Sequence, residues 1–263
     1  MSAPAIDIRR DGDVEWVTLN RPEVRNAFND QVVEELASWA ARAATDASLR
    51  VVVLGGAGKV FSAGADLDWM ARGANDSRDD IERQAAGLHG LFAAIDTLPQ
   101  AVVGRVQGAA IAGGGGLVAV CDVVVAAVDA QFGFSEVKLG IVPAIISPFV
   151  IRKIGPSAAR ALFVTGQRID ARRAKEIGLV HEVAAADELD AAVERLLAEL
   201  RGAAPTAVAA AKRLVAEVAG LTPSEAAPIT TRTIADRRVS EEGRAGVRAF
   251  LAKQRPPWAG GGP

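Results

Sequence analysis

Residues 108–122 read GAAIAGGGGLVAVCD, with the four consecutive glycines Gly113 to Gly116 running directly into the apolar stretch Leu117 to Cys121. This pattern predicts a helix whose first turn presents unobstructed backbone N–H groups. At such a helix start the unsatisfied donors coincide with the positive end of the helix dipole, so the site attracts an oxyanion. A second interpretation stays open, in which the glycines only provide tight turns and close helix packing.

Short apolar runs surround this segment on both sides. Residues 50–54, 101–106 and 123–128 are rich in valine and predict strands that are buried on both faces. Apolar residues recur at helical spacing over about 30–45, and a further helix is predicted over about 78–97. Strands that alternate with glycine loops and helices predict an α/β fold, in which ligands bind where strands lead into helices.

The last third of the chain has a different composition. After about residue 146 the segments are rich in alanine, leucine and charged residues, with proline and glycine between them, and predict mostly helix. We therefore predict two parts, a core over residues 1–200 that carries the site and a helical region over residues 201–263.

Composition excludes several classes of protein. The 30 basic and 32 acidic side chains leave a net charge of −2, which argues against nucleic-acid binding. Cys121 is the only cysteine, so no internal disulfide is possible, as is typical of a reducing compartment. No signal peptide and no apolar run of about 20 residues is present, so we expect a cytoplasmic protein without a membrane span.

Other site motifs fail on spacing. Lys59 follows a glycine-rich loop but precedes Val60, where a phosphate-binding loop needs Ser or Thr. The run Gly113 to Gly116 does not match the dinucleotide-binding pattern. His89 and His181 lack partners at metal-ligand spacing, so no metal site is expected.

A second loop of small residues, Phe61-Ser62-Ala63-Gly64-Ala65-Asp66-Leu67, follows a predicted strand, and Asp66 can begin the helix after it. Two such loops can supply two N–H donors to one oxyanion. Glu136 stands alone in an apolar run. A buried carboxylate needs either a partner or a raised pKa, and a raised pKa suits a general acid/base at neutral pH. The alternative is a surface ion pair with Lys138 or Arg152.

Together these motifs resemble the enoyl-CoA hydratase/isomerase (crotonase) superfamily. The resemblance implies an α/β spiral of ββα repeats over residues 1–200 and a helical C-terminal trimerisation region over residues 201–263, in a homotrimer or a hexamer. It implies an acyl-CoA thioester substrate, with no cofactor besides the CoA of the substrate. The matching segments are Leu19–Pro22, Arg25–Ala27, Phe61–Leu67, Gly108–Asp122, Phe132–Pro143 and Pro256–Trp258.

Carried over residue by residue, the resemblance implies that the N–H groups of Ala63 and Gly113 bind the thioester oxygen and that Glu136 is the general acid/base. Arg25 and Ala27 match the loop that contacts the CoA portion. The remaining substrate-binding positions implied are Gly64, Ala65, Asp66, Leu67, Gly114 and Gly116.

The chain departs from the family pattern at Gly116. Typical hydratases of the family carry two glutamates, of which one falls on Glu136 and the other on Gly116. In having a single glutamate at this site, the chain resembles the Δ3,Δ2-enoyl-CoA isomerases of the family. It also resembles the 3-methylglutaconyl-CoA-type hydratases, which share the glycine. Most members of the family have more glycine after the proline that corresponds to Pro143. The bulkier residues Ala144, Ile145 and Ile146 therefore favour the 3-methylglutaconyl-CoA-type hydratases. Three hypotheses follow: hydration of a branched, glutaconyl-type enoyl-CoA, double-bond isomerisation, or non-catalytic binding of CoA esters.

Overall fold

A six-stranded sheet lies at the centre of the computed structural model, which describes residues 3–259 apart from the side chains of Leu67 and Ala74. The first two strands in spatial order form an antiparallel hairpin, and the remaining neighbours pair in parallel. The predicted strand of residues 50–54 is buried along its whole length. Numbered along the chain, the strands in spatial order are β1 (Ile6–Asp11), β2 (Val14–Leu19), β3 (Val51–Gly56), β4 (Ala101–Val106), β6 (Val123–Ala127) and β9 (Glu182–Ala184).

A second, three-stranded sheet contains β5 (Ala109–Ile111), β7 (Gln131–Gly133) and β8 (Arg168–Asp170). β5 and β7 pair in parallel, whereas β7 and β8 are antiparallel. The chain alternates between the sheets, since β4 and β6 belong to the first and β5 and β7 to the second. This alternation is the predicted spiral of ββα repeats.

Helices cover the sheets where the sequence predicts them. The side chain of Asn29 accepts a hydrogen bond from the Val32 N–H at 3.0 Å and caps the first helix, whose apolar face is buried. The helices of the core are α1 (Asp30–Ala43), α2 (Leu67–Arg72), α3 (Arg78–Asp96), α4 (Gly113–Val120), α5 (Ser147–Thr165) and α6 (Ala171–Glu176).

The described chain ends in four helices, where the composition predicts mostly helix: α7 (Leu189–Gly202), α8 (Pro205–Val218), α9 (Pro223–Val239) and α10 (Glu241–Leu251). Of these, α7 spans the predicted boundary at residue 200. Lys212 of α8 pairs with Asp122 at 2.7 Å, and the Trp258 indole donates to the Gly202 carbonyl at 3.1 Å. Phe250 of α10 is 82% exposed. None of the helices within residues 3–259 is both long and apolar enough to cross a membrane.

Candidate active site

A cavity of about 910 Å³ opens between α3, the second sheet and the segment 141–146. This volume lies in the upper range for small-molecule sites. Its inner walls are largely apolar, with a few polar groups that converge on one side. The apolar lining includes Phe28, Trp69, Met70, Ile81, Leu88, Ile111, Val142, Ile145 and Ile146.

The start of α4 forms one wall of this cavity. Ala112 precedes the helix with φ 50° and ψ −117°, a backbone conformation that a non-glycine residue rarely adopts. Its own N–H is fixed by a 2.8 Å hydrogen bond to the Gly133 carbonyl. The N–H of Gly113, which lines the cavity, meets no acceptor among residues 3–259. A free donor therefore coincides with the positive end of the α4 dipole.

The loop before α2 forms the facing wall, and it corrects one prediction. The Ala63 N–H donates to the Arg25 carbonyl at 2.9 Å, so Ala63 cannot supply the predicted donor. Ala65 is bracketed by two hydrogen bonds, Phe28 N–H to Gly64 O and Asp66 N–H to Phe28 O. Its own N–H has no acceptor in the described part of the chain, and Ala65 lines the cavity. The second free donor is thus Ala65.

Three glycines predicted to bind substrate lie behind the cavity wall instead. Gly64 has φ +95°, and a Cβ there would lie 2.9 Å from the Ala112 Cβ, so this glycine permits close approach of the two loops. A Cβ on Gly114 would lie 2.8 Å from the Ser62 Cβ. A Cβ on Gly116 would lie 2.4 Å from the Ile146 Cγ2. Their contacts are with protein atoms, and none of the three borders the cavity.

Glu136 begins a 3-10 turn, Glu136–Leu139, directly after β7, and lines the cavity. Its Oε2 is buried without a hydrogen-bond partner. Burial raises the pKa of this carboxyl group, opposed only by a hydrogen bond from its own backbone N–H. The alternative ion pairs do not form. Among the described residues, Glu136 makes no ion pair with Lys138, which is exposed, and Arg152 pairs with Asp96 instead. The raised pKa of the predicted carboxylate is confirmed, while its burial holds for Oε2, since the residue as a whole is half-buried.

Asp66 lines the cavity, but its oxygens are committed to the protein. Oδ1 accepts the N–H groups of Asp68 and Trp69 and caps α2, as predicted, while Oδ2 pairs with Arg21 at 2.9 Å. Burial disfavours its ionised form, yet the hydrogen bonds from Trp69 and Arg21 outweigh that effect and lower the pKa. The side chain of Leu67, the next predicted position, lies outside the described structure.

Arg25 and Ala27 border the same cavity. Arg25 is exposed beside Glu23 and Val24, and no carboxylate in the described chain lies within 4.0 Å of its guanidinium. It is therefore free to meet an anionic ligand. Ala27 is buried, and its carbonyl accepts a hydrogen bond from Arg21 at 2.7 Å.

The comparisons with known proteins agree with this geometry. The family described as Enoyl-CoA hydratase/isomerase matches residues 9–261. The chain belongs to this family. A Thermus thermophilus protein that carries the name enoyl-CoA hydratase is 35% identical over 246 residues, which cover 94% of this chain and 97% of that protein. This enzyme is accordingly an acyl-CoA-processing member of the hydratase/isomerase family.

Two further relatives extend the match. The 2,3-dehydroadipyl-CoA hydratase of Escherichia coli is 31% identical over 259 residues, with 96% of this chain and 98% of that protein covered. An enoyl-CoA hydratase of solved structure from Shewanella pealeana superimposes with a TM-score of 0.93 at 34% identity, covering 97% and 96% of the two chains. The fold of this hydratase/isomerase family member is therefore the crotonase fold.

Sequence reasoning included Ala65 as a substrate-binding position but missed its role as a donor, and it missed Arg168 altogether. Ala65 differs from Ala63 only in which N–H is already bonded, a property that depends on Phe28 and Arg25 far away in the sequence. Arg168 lines the cavity from β8, and nothing near it in the sequence indicates that position. Ala63 and Ala65 are two residues apart, so the alternation of N–H directions along an extended loop does not distinguish them, and no local signal favours Ala65.

Proposed function

We propose that this enzyme adds water across the α,β double bond of an enoyl-CoA thioester, with Glu136 as its single general acid/base. The N–H groups of Ala65 and Gly113 would hold the thioester oxygen. The observation that carries the proposal is a buried, unpartnered carboxylate in one cavity with two unpaired backbone donors. Each donor of this kind is worth about 3–4 kcal/mol to the transition state.

The proposed steps use three groups of the chain, namely the N–H groups of Ala65 and Gly113 and the carboxylate of Glu136. Two N–H groups polarise the thioester carbonyl, which makes C3 of the enoyl group electrophilic. The oxygen of water bonds to C3 while one of its protons passes to the Glu136 carboxylate, and the thioester oxygen takes up the negative charge of the enolate. C2 then receives the proton from Glu136. The proton transfers contribute on the order of 10²–10⁴ in rate.

The acyl group we propose is branched and of the glutaconyl type. Ala144, Ile145 and Ile146 border the cavity, and we infer that their side chains limit the room for the acyl group, which would suit a short branched chain better than a long straight one. The name of the Escherichia coli relative, 2,3-dehydroadipyl-CoA hydratase, adds a second reason to consider acyl groups that carry a free carboxylate besides the thioester.

We also propose that the enzyme assembles as a homotrimer or a hexamer through its C-terminal helices. Phe250 and Leu251 of α10 are 82% and 75% exposed in the single chain. Covering such side chains in a subunit contact would remove apolar surface from water.

A second candidate, Δ3,Δ2-enoyl-CoA isomerisation, is favoured by the packing around Gly116. The space that a side chain at this position would need is filled by Ile146 and Phe92. Among the described residues that line the cavity, Glu136 is then the one whose carboxylate has a buried oxygen without a hydrogen-bond partner. A single carboxylate can move a proton from C2 to C4 of a 3-enoyl thioester, through the dienolate, without bound water.

One screen separates these functions. Straight, branched and dicarboxylic 2-enoyl-CoA and 3-enoyl-CoA esters are incubated with the enzyme, and products are followed by thioester absorbance and mass. Hydration adds the mass of one water, whereas isomerisation leaves the mass unchanged. A protein that converts 3-enoyl esters and hydrates no 2-enoyl ester would be an isomerase, contrary to the proposal.

The variant Glu136→Gln tests the mechanism itself. Turnover should fall by about 10²- to 10⁴-fold, while binding of a saturated acyl-CoA is retained, because glutamine preserves the size of the side chain. Glu199→Gln on the exposed face of α7 is the matched control. Unchanged turnover in Glu136→Gln would remove this residue from the mechanism, and binding without any turnover in the wild type would indicate a non-catalytic CoA-ester binder.

A further inference from the structure

Arg168 is a cation on the cavity wall that the reaction described above does not use. It begins β8 and pairs in register with Gly133 of β7, which in turn pairs with Ile111 of β5. Side chains of paired residues project from the same face of a sheet. Arg168 therefore faces the cavity together with Ile111, and both line it.

The absence of a side chain at Gly133 leaves room for the side chain of Arg168. An added Cβ on Gly133 would lie 3.3 Å from the Arg168 Cγ, so the stem of the arginine lies across a strand that has no side chain at that point. Gly133 stands three residues before Glu136 in the chain, and its carbonyl holds the N–H of Ala112. The stem of Arg168 thus lies against the strand that leads to Glu136, and Arg168 borders the same cavity as Glu136.

The guanidinium of Arg168 has no protein partner within the described residues. No carboxylate lies within 4.0 Å of it, and no hydrogen bond from its side chain is formed. The other charged side chains on the cavity wall are Arg25 and four carboxylates. Arg25 and Arg168 are both exposed, but Arg168 is the one that pairs in register with Gly133, three residues before Glu136 in the chain.

We propose that Arg168 binds a second carboxylate, carried by the acyl group of the substrate. The inference rests on the proposed function and narrows it to dicarboxylic enoyl-CoA esters. A carboxylate placed near the ionised Glu136 is repelled unless a cation compensates for it. The planar guanidinium forms two parallel hydrogen bonds to a carboxylate and fixes its orientation, which a lysine ammonium does not.

Matched ligands test this without turnover. Adipyl-CoA and hexanoyl-CoA have the same chain length and differ by the terminal carboxylate, and their dissociation constants can be measured by calorimetry. The wild type should bind adipyl-CoA more tightly, and Arg168→Gln should lose about 10- to 100-fold of affinity for it with little change for hexanoyl-CoA. Arg172→Gln, an exposed arginine of α6, is the control.

The same comparison with pantetheine thioesters separates two anionic groups. If Arg168 binds the acyl carboxylate, its effect persists when the CoA phosphates are absent. An effect that disappears with adipyl-pantetheine would assign Arg168 to the phosphates and overturn the inference, as would an equal loss for adipyl-CoA and hexanoyl-CoA. Because binding is read without catalysis, failure of hydration in the earlier screen leaves this result interpretable.

Kinetics supply the final readout. For 2-hexenedioyl-CoA, Arg168→Gln should lower kcat/KM by about 10- to 100-fold, and for 2-hexenoyl-CoA it should leave kcat/KM nearly unchanged. Arg168→Lys should recover only part of the loss, because the ammonium keeps the charge without the paired geometry. Full recovery by lysine would contradict bidentate binding, and equal rates for all variants would refute the role of Arg168.

Discussion

Replacing Gly116 with alanine should destabilise the protein, although the residue lies inside α4, where alanine is the better helix former. The added Cβ would lie 2.4 Å from the Ile146 Cγ2 and 3.1 Å from the Phe92 Cε1. Carbon atoms pack at about 3.5–4.0 Å, so the buried neighbours must move by more than about 1 Å. Ile146 is 3% exposed and Phe92 is fully buried, so neither can turn into solvent.

The expected loss follows from two opposing effects. Overpacking of a core costs about 1–3 kcal/mol, and the gain from glycine to alanine in a helix is about 0.5–1 kcal/mol. Gly116→Ala should therefore lower the free energy of unfolding by up to about 2.5 kcal/mol, with a central value of about 1 kcal/mol. Urea unfolding at one fixed protein concentration measures the difference.

Gly87→Ala is the matched control, since Gly87 also lies in a helix, α3, and no atom is found within 4 Å of its added Cβ. It should stabilise the protein by about 0.5–1 kcal/mol. The double variant Gly116→Ala with Ile146→Ala should lose less than the sum of the two single losses, because the Cγ2 clash is gone. If Gly116→Ala is as stabilising as Gly87→Ala, the packing described around Ile146 is wrong.

Three further predictions concern charged groups. Because burial raises the pKa of Glu136, ionising it costs stability as pH rises from the usual glutamate pKa through the raised one. Glu136→Gln should thus unfold at higher urea than the wild type at about pH 8 and at the same urea at about pH 4; equal differences at both pH values would contradict this. Arg25→Gln should raise KM for CoA esters about tenfold and leave KM for pantetheine esters unchanged, and an equal rise for both would exclude a phosphate contact. Burial, with a smaller effect of Lys153, lowers the pKa of His181, whose Nδ1 accepts the Val124 N–H at 2.9 Å. Stability should fall as pH drops from the usual histidine pKa towards the lowered one, and thermal unfolding of His181→Asn should show a flatter pH dependence.

Features set by neighbours in sequence could be predicted. Asn29 and Asp66 cap their helices, because a cap needs only the N–H groups two or three residues later. The valine-rich strands are buried, because parallel strands covered on both faces are apolar throughout. The Oε2 of Glu136 is buried and unpaired, as the apolar residues around Glu136 in the sequence indicate.

Features set by distant contacts could not be predicted. Whether Ala63 or Ala65 presents a free N–H depends on the carbonyl of Arg25, which lies 38 residues before Ala63 in the sequence. The family resemblance places Gly116 in the site, because the second glutamate of typical hydratases falls there, yet its neighbour is Ile146, 30 residues later in the chain. The sequence identifies which loops converge and leaves open which atoms of those loops remain unbonded.

The unusual backbone of Ala112 has a consequence for how the site meets its ligand. Its conformation is held by the hydrogen bond to Gly133, and a residue in this region costs about 1–3 kcal/mol. A glycine at position 112 would relieve that cost but would also let the peptide before Gly113 rotate. With alanine, the donor is oriented when the chain folds, so an arriving ligand loses little entropy in arranging it. The molecule is thereby less stable than it could be, and its first turn of α4 is rigid before any ligand binds.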